Sequence, residues 1–417
     1  MALVPKKLVF LVFCILSLQG FSQSYNVKIM TWNLLNYPSS TNITGDTTER
    51  NPHYRDVVHY VNPDILVTQE NATSGSYAMF FNNVMNNGTS LYSAGTFING
   101  YDTDNAIYYL TSLFHFISNT PIHTALRDIN EFKLVHLLTN DTLRIYSCHL
   151  KAGSGPPNDA LRNAEADSLR KHTNALPAGT DFIMCGDFNT YSDTEACYVT
   201  LLHDNLMDDG NFVDPINLTG VWNYYPYRSY HTQSTRTRSF GNGSTGGMDD
   251  RFDLIIFSNA INTPGGIEYV PGSQKPIGND GNHFNDSINQ QPNTAVPVYL
   301  ANALHYSSDH LPVVANFLFS STTGIESQQN SITSWNIYPN PGNGQFTISY
   351  NLNRTAFVDV QIIDITGKMI KQICHQQQSV GHFEIKNTLP EALMPGIYFI
   401  RILADQYSEN KKLIILN

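Results

Sequence analysis

The chain has 417 residues, of which 41% are hydrophobic and only 14% charged. It can therefore bury a large core, and it is neither a disordered nor a collagen-like chain. The length suits one large domain and a smaller one. Because 35 Asp and Glu outnumber 24 Lys and Arg, giving a formal net charge of −11, nucleic-acid binding through a broad basic surface is disfavoured.

The N-terminus predicts export. Lys6 and Lys7 precede an apolar run at 8–18, and GFS at 20–22 supplies the small residues that a signal peptidase recognises. The run is shorter than the roughly 20 residues that span a bilayer as a helix. We expect residues 1–22 to be a cleaved signal peptide rather than a buried strand or helix. The mature protein is then exported and soluble, with no integral membrane segment.

A polar stretch divides the rest of the chain. Residues 320–334 (SSTTGIESQQNSITS) have almost no charge and no apolar periodicity, which is typical of a linker. The predicted domains are 23–319 and 335–417. All of the net negative charge lies in the larger one.

The larger domain mixes short β-type runs with helical stretches. The pattern predicts two amphipathic helices, at 52–61 and 158–176, and long loops at 241–250 and 272–293. Strands outnumber helices without alternating strictly with them, so an α/β or α+β sandwich is favoured over a parallel barrel. The predicted strands are 27–32, 64–68, 106–110, 132–138, 143–148, 182–185, 252–257 and 313–319.

Polar residues stand at the ends of several predicted strands. If the last two of these strands run antiparallel to the others, as a mixed sheet allows, all of the side chains emerge at one edge. We therefore predict a convergent site. Its candidate members are Asn33, Glu70, His149, Asp187, Asn189, Asp253, Asp309 and His310.

The charges of this set imply a cation. Four carboxylates close together repel one another unless something positive lies among them. Carboxylate and amide oxygens, without a Cys-x-x-Cys pair or a His-Glu-x-x-His helix, favour Mg²⁺, with Mn²⁺ or Ca²⁺ as alternatives, and disfavour structural zinc. His149 and His310 add general acid and base capacity near neutral pH. Together these groups suggest metal-dependent phosphoester hydrolysis.

Each residue also has an ordinary structural explanation. Asn33 could cap a turn, and Asp187 could form an Asx turn. Asp253 could pair with the neighbouring Arg251. Glu70 could be solvated where its strand ends. The hypothesis depends on all of these groups occurring together, each at a strand boundary.

The segments TWN, TQE, CHL, GDFN, RFDLI and SSDHLPV occur in this order. The region 25–319 thereby resembles the endonuclease/exonuclease/phosphatase superfamily, which includes deoxyribonuclease I, abasic-site endonucleases, bacterial sphingomyelinases and inositol polyphosphate phosphatases. The resemblance implies a four-layer α/β sandwich, with two mixed β-sheets packed face to face and flanked by helices.

The resemblance also implies roles for the metal site and the base. Glu70 would bind the metal, with Asn33 and Asp309 near it. His310 would be the general base that activates water, and Asp253 would orient its imidazole.

Further roles follow from the same resemblance. Asp187 and Asn189 would position the nucleophile and the phosphoryl oxygens, and His149 would stabilise or protonate the departing group. Arg127, in ALRDIN, is similar in placement to an arginine that contacts substrate phosphate. The alternative for Arg127 is a surface ion pair with Asp128.

The C-terminal region resembles the sorting domain of type IX secretion substrates. Its alternating runs read as a small antiparallel β-sandwich, and the competing interpretation is a carbohydrate-binding or adhesive module. The family implies contact with the type IX machinery and either release or attachment at the cell surface. The signature positions are NIYPNP at 336–341, GQF at 344–346, DITGK at 364–368, GIY at 396–398 and the final KKLIILN.

A nuclease acting on DNA or RNA ranks first among the substrates. The loop before Asp253 carries groups that could hold a strand by charge and stacking. A phospholipid or sphingomyelin phosphodiesterase is the main alternative, since Trp222 and the tyrosines could enter a membrane interface. A small-molecule phosphatase comes third, and a non-catalytic surface binding module is a remote alternative. The loop groups are Arg228, Arg236, Arg238, Tyr224, Tyr225, Tyr227 and Tyr230.

Overall fold

The chain divides into two compact units, Met1–Thr322 and Thr323–Asn417. The predicted signal peptide and residues 321–331 of the predicted linker lie outside the described residues. The computed structural model describes residues 24–39, 48–205, 208–239, 243–320, 332–353, 355–364, 368–389, 395–404 and 407–416.

The first sheet of the large unit has seven strands among the described residues. These are β1 (Ser24–Tyr37), β2 (Ile65–Asn71), β3 (Tyr92–Ala94), β4 (Asp104–Leu110), β11 (Ile267–Tyr269), β12 (Lys275–Pro276) and β13 (Val313–Ser320). Their order is β11-β13-β1-β2-β4-β3, and β12 pairs with β13. β1 and β2 are parallel, whereas β13 is antiparallel to β1, so the sheet is mixed.

The second sheet faces the first. Its strands are β5 (Phe114–Ile122), β6 (Ile129–His136), β7 (Thr142–His149), β8 (Phe182–Asp187), β9 (Phe212–Val213) and β10 (Asp253–Ser258). They follow the order β5-β6-β7-β8-β10-β9. β7 and β8 are parallel and β10 is antiparallel to β8.

Helices cover the outer faces of both sheets. They are α1 (Asn51–Val61), α2 (Ser74–Phe80), α3 (Pro156–Thr173), α4 (Ala196–Leu202) and α5 (Val298–Ser307). α1 and α5 share a core with the outer face of the first sheet, and α3 and α4 with that of the second. In the described part of the chain, no helix combines the length and apolar character needed to cross a membrane.

Three apolar clusters therefore define four layers. Branched and aromatic residues of the inner faces, such as Ile29 on β1 and Ile145 on β7, pack between the sheets. The other two clusters lie between each sheet and its helices. The predicted four-layer α/β sandwich is confirmed.

All eight predicted strands and both predicted helices are present, with shifted ends. Predicted helix 158–176 begins earlier, at Pro156, because Pro is tolerated in the first helical turn. Helices α2, α4 and α5 and the strands β3, β5, β9, β11 and β12 were not predicted.

The small unit is an antiparallel β-sandwich, as predicted. Its sheets have the orders β14-β15-β18 and β17-β16-β19-β20, and residues of both sheets share one core, including Trp335, Tyr350 and Ile400. The strands are β14 (Ile332–Tyr338), β15 (Gln345–Leu352), β16 (Ala356–Ile363), β17 (Met369–Gln378), β18 (Gly381–Thr388), β19 (Gly396–Ala404) and β20 (Tyr407–Ile415).

Candidate active site

The candidate site lies at one end of the two facing sheets. Parallel pairing of β1 and β2 brings Asn33 and Glu70 to the same end of the first sheet. In the second sheet, His149 on β7 lies beside Asp187 on β8. Because β10 is antiparallel to β8, its first residue, Asp253, pairs with Asp187.

The segment before β13 joins the same end. β13 is antiparallel to β1, so the residues that precede it lie beside the end of β1. The Ser308 hydroxyl donates to the Asn33 carbonyl oxygen at 2.6 Å, and Trp32 Nε1 donates to the His310 carbonyl oxygen at 2.9 Å. These bonds fix Asp309 and His310 against the first sheet.

An amide and two carboxylates form the centre of the site. Asn33 Nδ2 donates to Glu70 Oε1 at 2.8 Å and to Asp187 Oδ2 at 3.0 Å. His149 Nε2 lies 3.7 Å from Glu70 Oε1 and 3.6 Å from Asp187 Oδ2. Glu70, His149 and Asp187 each offer one potential ligand atom, and these three atoms lie within 4.8 Å of one another. They are close enough to share a metal ion.

The backbone bends to aim Glu70 into this group. Glu70 has a φ of 62°, and the β2–β4 register shifts between Thr68 and Asn71, as in a β-bulge that redirects a side chain. The Asn36 amide donates to Glu70 Oε2 at 2.7 Å. The carboxylate is therefore held at both oxygens.

Gly186 allows β8 to approach β7 at this point. Its φ is +137°, and a Cβ there would lie 2.1 Å from the Cys148 carbonyl oxygen, so a side chain is excluded. Asp187 then accepts the Asn189 amide through Oδ1 at 3.0 Å, while Oδ2 faces Asn33. The Asx turn is therefore present, and because it uses only Oδ1, it is compatible with the predicted role of Asp187 in the site. Asn189 Nδ2 donates to the Leu150 carbonyl oxygen at 3.2 Å.

His310 and Asp253 form a buried pair. His310 Nδ1 lies 2.7 Å from Asp253 Oδ2, and Nε2 lies 3.7 Å from Asp187 Oδ2. Arg251 pairs instead with Asp214 at 2.9 Å, so Asp253 is not its partner. The Nδ1 contact leaves Nε2 of the imidazole directed at the site.

Burial and charge shift the pKa values of these groups. Burial, followed by the charge of Asp309, raises the pKa of Glu70, and burial raises the pKa of Asp187 to about 7. Burial lowers the pKa of His310, but the carboxylates of Asp253 and Asp187 outweigh it and raise that pKa well above 6.5. The pKa of His149 is lowered well below 6.5 by burial, then by the charge of Arg127. The site has too little positive charge for its carboxylates, a condition that a divalent cation relieves.

Asp309 lies at the edge of this group. Its Oδ2 accepts the Ser244 amide at 2.6 Å, and its buried Oδ1 has no hydrogen-bond partner among the described residues. The sequence hypothesis placed Asp309 with Glu70 and Asn33 at the metal, whereas Asp187 and His149 approach Glu70 in the structure.

Two residues that contact His310 were not predicted from the sequence. Gln233 places Nε2 2.5 Å from His310 Nε2, and Ser308 accepts the His310 amide at 3.1 Å. Ser308 belongs to the SSDH segment and could have been found there. Gln233 lies in a loop whose sequence carries no periodic signal.

Arg127 lies beside the His149 strand. Its Nη1 donates to the His149 carbonyl oxygen at 3.5 Å, and its Nη2 pairs with Asp102 at 2.7 Å. Asp128, the alternative partner, instead lies 3.0 Å from His123 Nδ1. Arg127 is thus placed near the site but pairs with a carboxylate.

Two expectations about the loop before Asp253 are wrong. Trp222 is 0% exposed and Arg236 is 1% exposed, because both pack into the interior, and neither can meet a membrane or a nucleic-acid strand. Tyr224 and Tyr225 are 55% and 56% exposed. The Arg228 guanidinium lies 4.2 Å from the Tyr225 ring centroid.

The sequence matches two protein-family models. Residues 30–310 match the Endonuclease/Exonuclease/phosphatase family, and residues 336–416 match the secretion system C-terminal sorting domain. A sorting domain of this kind implies contact with the secretion machinery. No curated protein matches the chain.

Solved structures with a similar fold share little sequence with the chain. The human nocturnin catalytic domain with bound sulfate is 17% identical over 72% of this chain and 97% of its own, with a TM-score of 0.47. A family protein of Bacteroides thetaiotaomicron is 17% identical over 71% and 99%, with a TM-score of 0.47. A mannosyl-6-phosphatase of the same organism is 18% identical over 70% and 100%, with a TM-score of 0.46. Because the family match covers more than half of the chain, this protein belongs to the endonuclease/exonuclease/phosphatase family.

Proposed function

We propose that the protein is an exported, divalent-metal-dependent phosphoester hydrolase, with nuclease activity as its first candidate. Members of the family hydrolyse phosphoester bonds. The observation that carries the proposal is the close approach of Glu70, His149 and Asp187, whose ligand atoms lie within 4.8 Å of one another.

The residues fit a hard divalent cation. Glu70 and Asp187 would hold it, with the Asn33 amide between them and Asp309 at the edge. Mg²⁺ suits this oxygen-rich set, and Mn²⁺ or Ca²⁺ are alternatives. The cation would supply charge stabilisation for the phosphoryl group.

His310 is assigned the general base. Asp253 accepts from Nδ1 at 2.7 Å, so Nε2 is the nitrogen that would take a proton from water. The Gln233 amide nitrogen, which lies 2.5 Å from Nε2, would have to give way to that water. Neutralising the surrounding carboxylates would bring the pKa of His310 down towards neutrality, where the imidazole serves as a base. Asp187 and Asn189 would orient the water and the phosphoryl oxygens.

His149 and Arg127 are assigned to the departing side. Burial keeps His149 neutral, so it can donate a hydrogen bond to a leaving oxygen. Arg127 would meet a phosphate oxygen by exchanging its contact with Asp102, which is half-exposed. The exchange replaces one anionic partner by another.

For the substrate, exposed Tyr224 and Tyr225 support the nuclease proposal because aromatic rings stack on bases of single strands. A phospholipid or sphingomyelin diester would use the same rings at a membrane surface, without help from the buried Trp222.

A small phosphate ester is a second candidate, favoured by an acidic rim formed by Asp249 and Asp250. Asn223 Nδ2 lies 3.2 Å from Asp249 and 3.5 Å from Asp250. Asp250 pairs through its backbone with Gln233, which touches His310. Burial raises the pKa of Asp249, and it raises the pKa of Asp250 to about 7, so the rim repels a long polyanion fully only above that pH. A small ester with hydroxyl groups can donate hydrogen bonds to the rim.

Metal dependence is tested by hydrolysis of plasmid DNA, RNA, sphingomyelin and inositol phosphates under identical conditions. The purified chain should cleave at least one substrate with Mg²⁺ and none with EDTA. Glu70→Gln should lower the rate by about 100-fold, the upper end of the losses found when groups around a metal site are changed, because the ligand charge is lost. Glu268→Gln, on β11, is the matched control and should leave the rate unchanged. Full activity with the chelator would contradict the metal assignment.

A further inference from the structure

The inner faces of the two sheets change in character towards the site. Every second residue of a strand faces the partner sheet. On β7 the inward row is Leu143, Ile145, Ser147 and His149. On β1 it is Val27, Ile29, Thr31 and Asn33. An apolar region is thus followed by a neutral polar layer and then by the ionisable site.

We define the polar layer as Thr31, Gln69, Asn105, Asn130 and Ser147. All five are at most 4% exposed, although buried polar groups are unfavourable unless they are hydrogen-bonded. Gln69 Nε2 donates to Thr31 Oγ1 at 3.2 Å and to Ser147 Oγ at 3.1 Å. Both N–H bonds of its amide therefore have acceptors.

The hydrogen bonds continue in one direction through the layer. Ser147 Oγ donates to Asn105 Oδ1 at 3.0 Å, and Asn105 Nδ2 donates to Asn130 Oδ1 at 2.9 Å. Asn130 Nδ2 then donates to Asn119 Oδ1 at 3.0 Å. Gln69 and Asn105 belong to the first sheet, and Ser147 and Asn130 to the second. The chain of bonds therefore crosses between the sheets three times.

Gln69 is the member of the polar layer that adjoins a site residue in the sequence. It directly precedes Glu70, at the bulge that redirects β2. Its acceptor Ser147 lies two residues before His149 on β7. A single hydrogen bond thus joins the strand that carries Glu70 to the strand that carries His149.

We propose that Gln69 is a positioning residue that sets the separation of the metal-binding side chains contributed by the two sheets. The inference rests on the proposed metal site. Glu70 and Asn33 come from one sheet, while His149 and Asp187 come from the other, so distances such as the 3.0 Å between Asn33 and Asp187 depend on how the sheets lie relative to each other.

Apolar packing alone fixes that relation poorly. The hydrophobic effect is non-directional, so burial of similar aliphatic side chains specifies the relative position of the two sheets less sharply than directional bonds do. A hydrogen bond weakens steeply when its angle or length departs from the preferred range. The polar layer therefore resists displacement along the strands, and Gln69 applies that restraint beside Glu70.

The test is calorimetric titration of the full chain with Mn²⁺. Gln69→Met keeps the length of the side chain and removes both N–H donors. It should weaken Mn²⁺ binding about 10- to 100-fold, the range found when groups that orient metal ligands are removed. The matched control is Asn130→Leu, which breaks two bonds of the same layer at its far end. Both variants should unfold at a lower temperature, but only Gln69→Met should lose Mn²⁺ affinity.

The outcomes are distinguishable. A native chain that binds no Mn²⁺ would overturn the proposed metal dependence, and this inference with it. Native binding with equal affinity in Gln69→Met, or an equal loss in Asn130→Leu, would overturn the inference alone, because Gln69 would then act only through stability.

A second pair of variants covers the case in which Gln69→Met fails to fold. Ser147→Ala removes the acceptor of the same bond and should also weaken Mn²⁺ binding. Where both single variants fold, the double variant should lose less affinity than the two single losses combined, since the bond between Gln69 and Ser147 is common to both changes. Unchanged Mn²⁺ affinity in Ser147→Ala would contradict the proposal.

Discussion

At the scale of single residues, the two oxygens of Asp187 face different tasks. Oδ1 accepts the Asn189 amide and closes a turn, while Oδ2 accepts from Asn33 and lies 3.7 Å from His310 Nε2. A strand-end carboxylate can therefore shape its own loop and still present an oxygen to a site. Ordinary turn chemistry is thus not evidence against function.

His310 offers the sharpest test at this scale. His310→Ala removes the only imidazole assigned to proton abstraction, so kcat should fall about 10²- to 10⁴-fold, the usual contribution of general acid–base catalysis. The effect is measured by steady-state kinetics on whichever of the four test substrates the native chain cleaves.

His115→Ala, at an exposed position of β5, is the control and should keep the native rate. Asp253→Asn should also lower kcat, because an amide no longer favours the imidazole tautomer with its proton on Nδ1. A native rate in His310→Ala would remove the residue as the base.

The positions of most site residues could be predicted because they stand at strand ends. Once β1 and β2 are parallel and β13 is antiparallel, Asn33, Glu70 and His310 must share an edge. The Ser244 amide that binds Asp309 could not be predicted, since a backbone donor has no signature in the sequence. Gln233 was missed for a related reason, because its contact with His310 depends on the path of a loop.

At the scale of elements, helix α3 stabilises the loop that follows β7. Glu165 accepts the Lys151 amide at 2.9 Å through Oε2. Arg162 donates to the carbonyl oxygens of Lys151 and Gly153 at 2.8 and 2.7 Å. The helix thus fixes the chain just beyond His149. Glu165 is 1% exposed, and burial raises its pKa from 4.5 to about 7.

The raised pKa predicts the direction of a pH effect. A carboxyl whose pKa rises on folding stabilises the protein fully below the pKa of the unfolded chain, near 4.5, and this contribution is lost as the pH rises to about 7. Glu165→Gln keeps the acceptor for Lys151 and removes the charge. The variant should match the native chain below pH 4.5 and exceed its free energy of unfolding by about 3 kcal/mol at pH 8, as measured by urea titration.

Glu131 on β6 provides a control of opposite sign. Burial raises its pKa, but hydrogen bonds from His172 and Tyr146 and the charge of Arg144 outweigh burial and lower it. Its contribution is therefore present at pH 8 and is lost as the pH falls through the lowered pKa. Glu131→Gln should destabilise the protein at pH 8. Equal pH dependence in the native chain and Glu165→Gln would contradict the assignment.

The unpredicted elements share physical causes. β5 has an exposed, irregular edge and contains Pro121, so its pattern is not that of a half-buried strand. Helix α4, with the sequence ACYVTLL, is rich in residues that favour strands. Its contacts with α3 and the burial of Cys197, Tyr198 and Leu201 override that preference. Burial against a neighbour cannot be deduced from a seven-residue window.

At the scale of the whole molecule, the two units have separate cores. Three apolar clusters belong to the large unit, and a fourth, built on Trp335, Tyr350 and their neighbours, belongs to the small one. A unit that buries its own core can fold independently. The region that matches the hydrolase family and the region that matches the sorting domain are therefore each stabilised by a core of their own.

Scanning calorimetry should reveal the separate cores as two unfolding transitions of the full chain, because cooperative unfolding is a property of a single core.

A variant ending at Ser320 retains β13 in full and should keep one transition. Its midpoint should lie within about 2 °C of the native value, since a change of 1 kcal/mol in a domain of this size shifts the midpoint by only a few degrees. The variant should also keep the Mn²⁺ affinity, because every residue assigned to the metal precedes Ser320. A single transition in the full chain would contradict the independence of the two cores. Loss of Mn²⁺ binding on truncation would show that the site requires the C-terminal unit.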